Sequence, residues 1–217
     1  MFDLTPSAEI VKSKLILGEG MDEVRCMEAL LKHMGLSNDV QVEHYGGKNQ
    51  LAKSIVSTVT RTGFKQVTSL GITRDCDYAD RSADEAEKSA FQSICLALEK
   101  AGLKPPEKIG MKSSGVPAVS AMILPGKARM GMLEDMFLDS LFDKPEFTCI
   151  EAFFECVNLK SGRKTARPQN VMGKARIHAW LSTQVEPDKL LGQSAEAGYW
   201  DWDHSAFDSL KAFIKAL

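Results

Sequence analysis

The chain has 217 residues, with 27 basic against 29 acidic side chains and a formal net charge of −2. At roughly 150 residues per domain, that is one generous domain or one domain with a modest appendage. Hydrophobic residues at 44% and charged residues at 26% suit a packed soluble domain, and exclude a collagen, a disordered chain and a disulfide-rich scaffold. The near-neutral total excludes a histone-like coat for nucleic acid, although not a local contact patch.

The first residues, MFDLTPSAEIVKSK, lack the basic start and apolar run of a signal peptide. No apolar stretch approaches the roughly 18 residues of a membrane span, so a cytoplasmic protein without a membrane partner is expected. The five cysteines (Cys26, Cys76, Cys95, Cys149, Cys156) are odd in number, scattered and without a C-x-x-C. Reduced thiols are expected, and structural zinc is not.

In chain order, Lys14–Gly18 is a short apolar run closed by glycine and is predicted as a buried strand. Glu23–Met34 carries Val24, Met27, Leu31 and Met34 at helical spacing. Val40–Tyr45 is a second predicted strand, Asn49–Thr62 a second helix, Val67–Ile72 a third strand, and Asp80–Ala101 a long helix with a charged outer face. Pro105–Val116 is a loop or irregular region, and Ala118–Leu124 a fourth strand stopped by Pro125. Helices follow at Met130–Phe142, Glu146–Asn158, Gly173–Thr183, Pro187–Ala197 and Ser205–Leu217. The alternation predicts an α/β fold: a mainly parallel sheet flanked by helices, with a helical C-terminal extension. A core over 1–125 carries an extension over 126–217, packed on that core through Trp180, Trp200 and Trp202.

Open parallel sheets bind ligands beyond the carboxyl ends of their strands, so the polar residues there carry the functional reading. The first strand runs into Gly18-Glu19-Gly20-Met21-Asp22-Glu23, and the third into Arg74-Asp75-Cys76-Asp77. Asp75 and Asp77, two apart in an extended chain, are expected to point the same way, which suits a hard cation such as Mg²⁺. Glu23, four residues before Met27, lies over the apolar face of its helix. It is either a helix-start acid favoured by the dipole or aimed at a site shared with Glu19. In Leu133-Glu134-Asp135, Glu134 falls on the packing face and Asp135 points away. An acid on a packing face needs a partner or a metal. Lys174, placed at a helix start beside Ile177 and Leu181, gains nothing from the dipole and is expected to face an acid or an anion. The alternative is a snorkelling surface lysine.

A strand ending in Glu-Gly followed by a helix, then a later strand ending in Asp-x-Asp, resembles the Toprim domain of topoisomerases, primases and OLD-family nucleases, over roughly residues 14–125. Glu19-Gly-x-x-Glu23, the Leu133-Glu134-Asp135 helix after an Ile-Leu-Pro strand, and the late Lys174 resemble the OLD-type and small stand-alone members. The resemblance implies a Toprim-like (Rossmannoid) sheet and metal-assisted hydrolysis of nucleic acid. Mg²⁺ or Mn²⁺ would be held by Glu19, Asp75 and Asp77, with Glu23 and Glu134 completing a second metal position or orienting water. Lys174 would offset charge on the phosphate. Arg74 is read as a salt-bridge partner that keeps the acids apart, rather than as a phosphate contact.

The run Lys160, Arg163, Lys164, Arg167, with no acid from Asn158 through Asn170, is a strand-binding loop or a solvated one. No G-x-x-x-x-G-K-[ST] loop occurs; the resemblance to OLD-type enzymes implies a separately encoded ATPase as a partner. The absence of H-E-x-x-H and G-x-S-x-G sets aside a zinc hydrolase and an α/β-hydrolase. Two alternatives to the nuclease remain: a non-catalytic nucleic-acid-binding or regulatory subunit, and a phosphohydrolase or phosphotransferase on a small substrate.

Overall fold

The first and last strands of the sheet are short, largely apolar runs, because helices cover both faces of the sheet. A computed structural model describes residues 9–126, 128–161 and 169–217. Four strands, β1 (Lys14–Gly18), β2 (Val40–His44), β3 (Ser69–Asp75) and β4 (Ala118–Leu124), form one sheet in the order β2-β1-β3-β4. All three pairings are parallel, with Lys14 opposite both Val40 and Ser69, and Ser69 opposite Ala118. The side chains alternate across the sheet, as the two-residue period of a strand demands. Leu15, Leu17, Leu70, Ile72, Val119 and Ala121 enter one core, whereas Ile16, Val40, Val42, Met122 and Leu124 enter the other. The expected α/β fold with a parallel sheet is the fold observed.

On the first face lie α2 (Leu51–Val59), preceded by a 3₁₀ turn at Lys48–Gln50, and α3 (Ala83–Lys100). The start of α3 is set by a capping box, in which Ser82 and Glu85 bond each other's backbone N–H and so satisfy two of the helix's orphan donors. On the second face lies α1 (Met21–His33), with acids in its first turn and bases in its last, the sense the helix dipole favours. It is joined there by α4 (Leu133–Asp139), α5 (Pro145–Ser161), α6 (Gln169–Leu181), α7 (Leu191–Glu196) and α8 (Asp208–Lys215).

The three tryptophans are buried in that second core. Trp180 lies 4.4 Å from Trp200, and Phe137 meets Trp200 edge-on at 4.6 Å. Gly71 allows the C-terminal helix to reach the sheet: a Cβ at this position would stand 2.8 Å from the Phe213 ring and 3.1 Å from Leu217. Among the described residues no helix is long and apolar enough to cross a membrane.

The boundaries differ from expectation in ways that matter for the acids. Strand β3 runs Ser69–Asp75 rather than Val67–Ile72, because Thr73, Arg74 and Asp75 pair with Met122, Ile123 and Leu124 of β4. Pairing with a long apolar strand thus carries polar residues into the sheet. Helix α6 begins at Gln169 rather than Gly173, which places Lys174 in its second turn and removes the helix-start argument for it. The predicted last helix divides into a 3₁₀ turn at Ser205–Phe207 and α8.

Candidate functional site

The chain leaves β1 for β2 on one side and returns to β3 on the other, so the order of connection reverses between β1 and β3. Doubly wound sheets carry their ligand crevice at that point, beyond the carboxyl ends of the strands. Glu19 follows β1 there, and Asp75 closes β3.

Glu23 projects from the first turn of α1 toward this edge and is only 4% exposed. Its Oε2 accepts the N–H of Glu19 at 2.5 Å, and its Oε1 accepts the hydroxyl of Thr73. Gly18 makes room for it, since a Cβ at 18 would meet the Glu23 carboxyl carbon at 3.0 Å. Burial pushes the Glu23 pKa up to about 7; the hydrogen bonds from Thr73 and Glu19 oppose the rise and the Glu19 charge adds to it. Both oxygens are engaged by the protein, so Glu23 ties the β1–α1 turn to β3 and is not presented as a metal ligand. Glu19 is held in turn by the Tyr45 hydroxyl at 3.3 Å and by the Lys48 backbone N–H at 3.2 Å. The Tyr45 hydroxyl is also within 3.0 Å of the Thr73 carbonyl, to which it donates.

Asp75 accepts the backbone N–H of Leu133, the first residue of α4, at 3.0 Å. Its pKa is nevertheless raised well above the usual carboxylate range, by desolvation first and then by the charges of Glu23, Glu134, Glu19 and Asp77. The other four acids singled out from the sequence therefore all act electrostatically on Asp75. They are not arranged as expected, however. Asp77 adopts a left-handed backbone, φ 60°, which an aspartate tolerates better than most residues. The extended Asp-x-Asp geometry is thereby broken. Asp77 pairs with Lys48 at 3.2 Å, while Asp75 faces α4.

Glu134 pairs with Lys174 at 3.3 Å, their side chains 17% and 56% exposed, so the acid expected opposite Lys174 is present. Asp135 does not point away into solvent. It accepts the N–H of Met132 at 2.8 Å, capping its own helix, and the Tyr78 hydroxyl at 2.8 Å. Among the described residues Arg74 forms no salt bridge with an acid, and its buried Nε has no hydrogen-bond partner, contrary to the role read from the sequence. Lys160 is exposed at the end of α5; Arg163, Lys164 and Arg167 lie outside the described residues.

Three residues that complete this edge were not singled out from the sequence. Thr73 carried the one usable signal, a polar residue in an apolar strand, two before Asp75 and so on the same face. Tyr45 and Lys48 gave none, because their role depends on β2 lying next to β1.

The donor chemistry of the edge is that of a hard cation: carboxylate oxygens with unfavourably concentrated charge. Yet among the described residues no three His, Cys, Asp or Glu are placed to share one metal ion, so the Glu19, Asp75 and Asp77 triad is not assembled in this arrangement. Mg²⁺ is commonly held by one or two carboxylates, with waters and substrate phosphates completing its shell, and the residues fit that mode rather than a closed cage.

A family model described as a protein of unknown function, DUF3226, matches residues 13–217. The chain belongs to the DUF3226 family. No curated protein and no solved structure matches it. The DUF3226 match takes in all four strands and all eight described α-helices, so the acidic edge and the C-terminal helices over it fall within a single family unit.

Proposed function

We propose that the edge between β1 and β3 is the centre of a metal-dependent nuclease of the Toprim type, hydrolysing phosphodiesters of nucleic acid. The observation that carries this reading is Asp75, a carboxyl at the switch point whose pKa is raised by burial and then by the charges of four other acids. Such crowding costs stability, and a divalent cation offsets it. Asp75, Glu19 and Asp77 are the residues that would hold Mg²⁺ or Mn²⁺ together with phosphate oxygens and water. A bound cation supplies Lewis-acid stabilisation of the charge that develops on the phosphate.

The chain's own groups do the rest. Glu23 and Thr73 fix the turn that presents Glu19, the N-terminus of α4 orients Asp75, and Lys48 restrains Asp77. Lys174, more than half exposed beside Glu134, is the cation placed to turn toward a phosphate oxygen. Lys160, with Arg163, Lys164 and Arg167, is the strand-contacting run in this reading. A separately encoded ATPase is the protein partner that the likeness to OLD-type enzymes implies.

A second reading rests on a specific observation as well. Asp77 and Glu134 are each paired with a lysine, and Asp75 with a backbone N–H, so the acids also suit a nucleic-acid-binding subunit that uses them structurally. Labelled single-stranded DNA, duplex DNA and RNA, incubated with Mg²⁺ or Mn²⁺, separate the two. The nuclease reading expects metal-dependent cleavage of at least one substrate, reduced at least about 100-fold in Asp75→Asn. Binding without cleavage of any substrate, unchanged in Asp75→Asn, leaves the second reading in its place.

A further inference from the structure

Arg74 is the penultimate residue of β3, in register with Ile123. Because side chains alternate along a strand, it projects from the face opposite Thr73 and Asp75. The two lysines that meet the acids are themselves paired: Lys48 with Asp77 at 3.2 Å and Lys174 with Glu134 at 3.3 Å. Among the described residues Arg74, next in the strand to Asp75, pairs with no acid. Its side chain is half-buried, and its Nε is shut off from solvent without a hydrogen-bond partner. Its charge is felt by Tyr45, where it opposes a rise in pKa caused by burial and by Glu23 and Glu19. The guanidinium is therefore within electrostatic reach of Tyr45, whose hydroxyl meets Glu19.

We infer that Arg74 is a phosphate-binding residue that receives an oxygen of a nucleic-acid phosphodiester at the β1/β3 edge. This rests on the nuclease reading and names the group that engages the substrate's phosphate. An edge lined by five acids repels a polyanion, so substrate needs a fixed positive charge to approach it. A guanidinium offers planar paired donors matched to phosphate oxygens and keeps its charge at any working pH. Enclosure of Nε holds the stem in place, and the rest of the guanidinium carries donors that no group among the described residues takes up. An arginine whose task was to neutralise the acids would be paired with one of them.

The test is fluorescence anisotropy of a fluorescein-labelled 16-mer oligothymidylate, with Ca²⁺ as the divalent ion, on wild type, Arg74→Ala and Arg74→Lys. Thermal unfolding of each variant checks that it is folded. Arg74→Ala is expected to weaken binding at least about tenfold, and to flatten the slope of log affinity against log salt by about 0.7, the loss of one phosphate contact to a single strand. Arg74→Lys, which keeps the charge but not the fork, is expected to fall between the two. Wild-type affinity in Arg74→Ala, or no binding by wild type, overturns the inference. So does an effect on competing inorganic phosphate with none on the oligonucleotide. Cleavage by wild type with intact binding by Arg74→Ala removes the role of Arg74 and leaves the nuclease. Lost binding in Arg74→Ala without cleavage by wild type does the reverse.

Discussion

Glu23 keeps a carboxyl at 4% exposure, with both oxygens bonded inside the protein. Its pKa is raised from 4.5 to about 7, so between those values the native state holds a proton that the unfolded chain has released. The stability contributed by that proton is complete below about pH 4.5, falls as pH rises, and is gone above about pH 7. Asp75, also raised, pulls in the same direction. Thermal unfolding of metal-free protein is expected to show a melting temperature that declines through this window. Glu23→Gln should flatten the decline by an amount on the order of 3 kcal/mol. A Glu23→Gln profile parallel to wild type would place the charge cost elsewhere. The four-residue step from Glu19 to Glu23 was legible in the sequence, and the two do meet. What was not legible is that Glu23 spends its oxygens on a backbone N–H and on Thr73. That use depends on a strand fifty positions away.

At the scale of elements, β3 is where sequence and structure differ most instructively. Periodicity ended the strand at Ile72, but pairing with β4 carries it to Asp75. A residue that reads as a loop aspartate is thereby fixed at a sheet edge, with an α-helix aimed at it. Asp77, just past the strand, turns into a left-handed conformation that no local pattern announced. Strand β2 is held by a different device. Glu43, 6% exposed, receives both terminal nitrogens of Arg61, one of them at 2.9 Å, together with the amide of Gln41 at 2.7 Å. Removing one partner strands a buried charge. Arg61→Ala is expected to cost about 3–5 kcal/mol in urea unfolding, and the Arg61→Ala/Glu43→Ala pair less than the sum of its members. Strict additivity would show the pair to be uncoupled. Gly71→Ala tests the seating of α8. The added methyl would fall 2.8 Å from Phe213, and a loss of about 1–3 kcal/mol is expected by the same measurement.

For the whole molecule, the alternation of strands and helices carried the fold class in the sequence, because two-sided cover gives β1 and β4 short, largely apolar cores between helical stretches. The five later helices were legible as elements. Their joint packing against one face of the sheet was signalled only by the placement of the tryptophans. Phe137 is the hub of that packing, touching Trp200, Trp202 and Phe207 edge-on. Trp200→Ala is expected to cost about 3–5 kcal/mol and to lower one cooperative transition, whereas a separate early transition would make the later helices an independent unit. The same face brings α4 against Asp75, so the packing of the C-terminal helices and the composition of the acidic edge are one problem. The most direct test of that edge as a cation site is a titration of Mn²⁺ followed by the electron paramagnetic resonance of the free ion, at pH 8 with the 16-mer oligonucleotide present. Wild type is expected to take up Mn²⁺ and Asp75→Asn to lose that uptake, while the two unfold at similar temperatures. Equal uptake by both, or none by wild type, would contradict a metal-dependent site between β1 and β3.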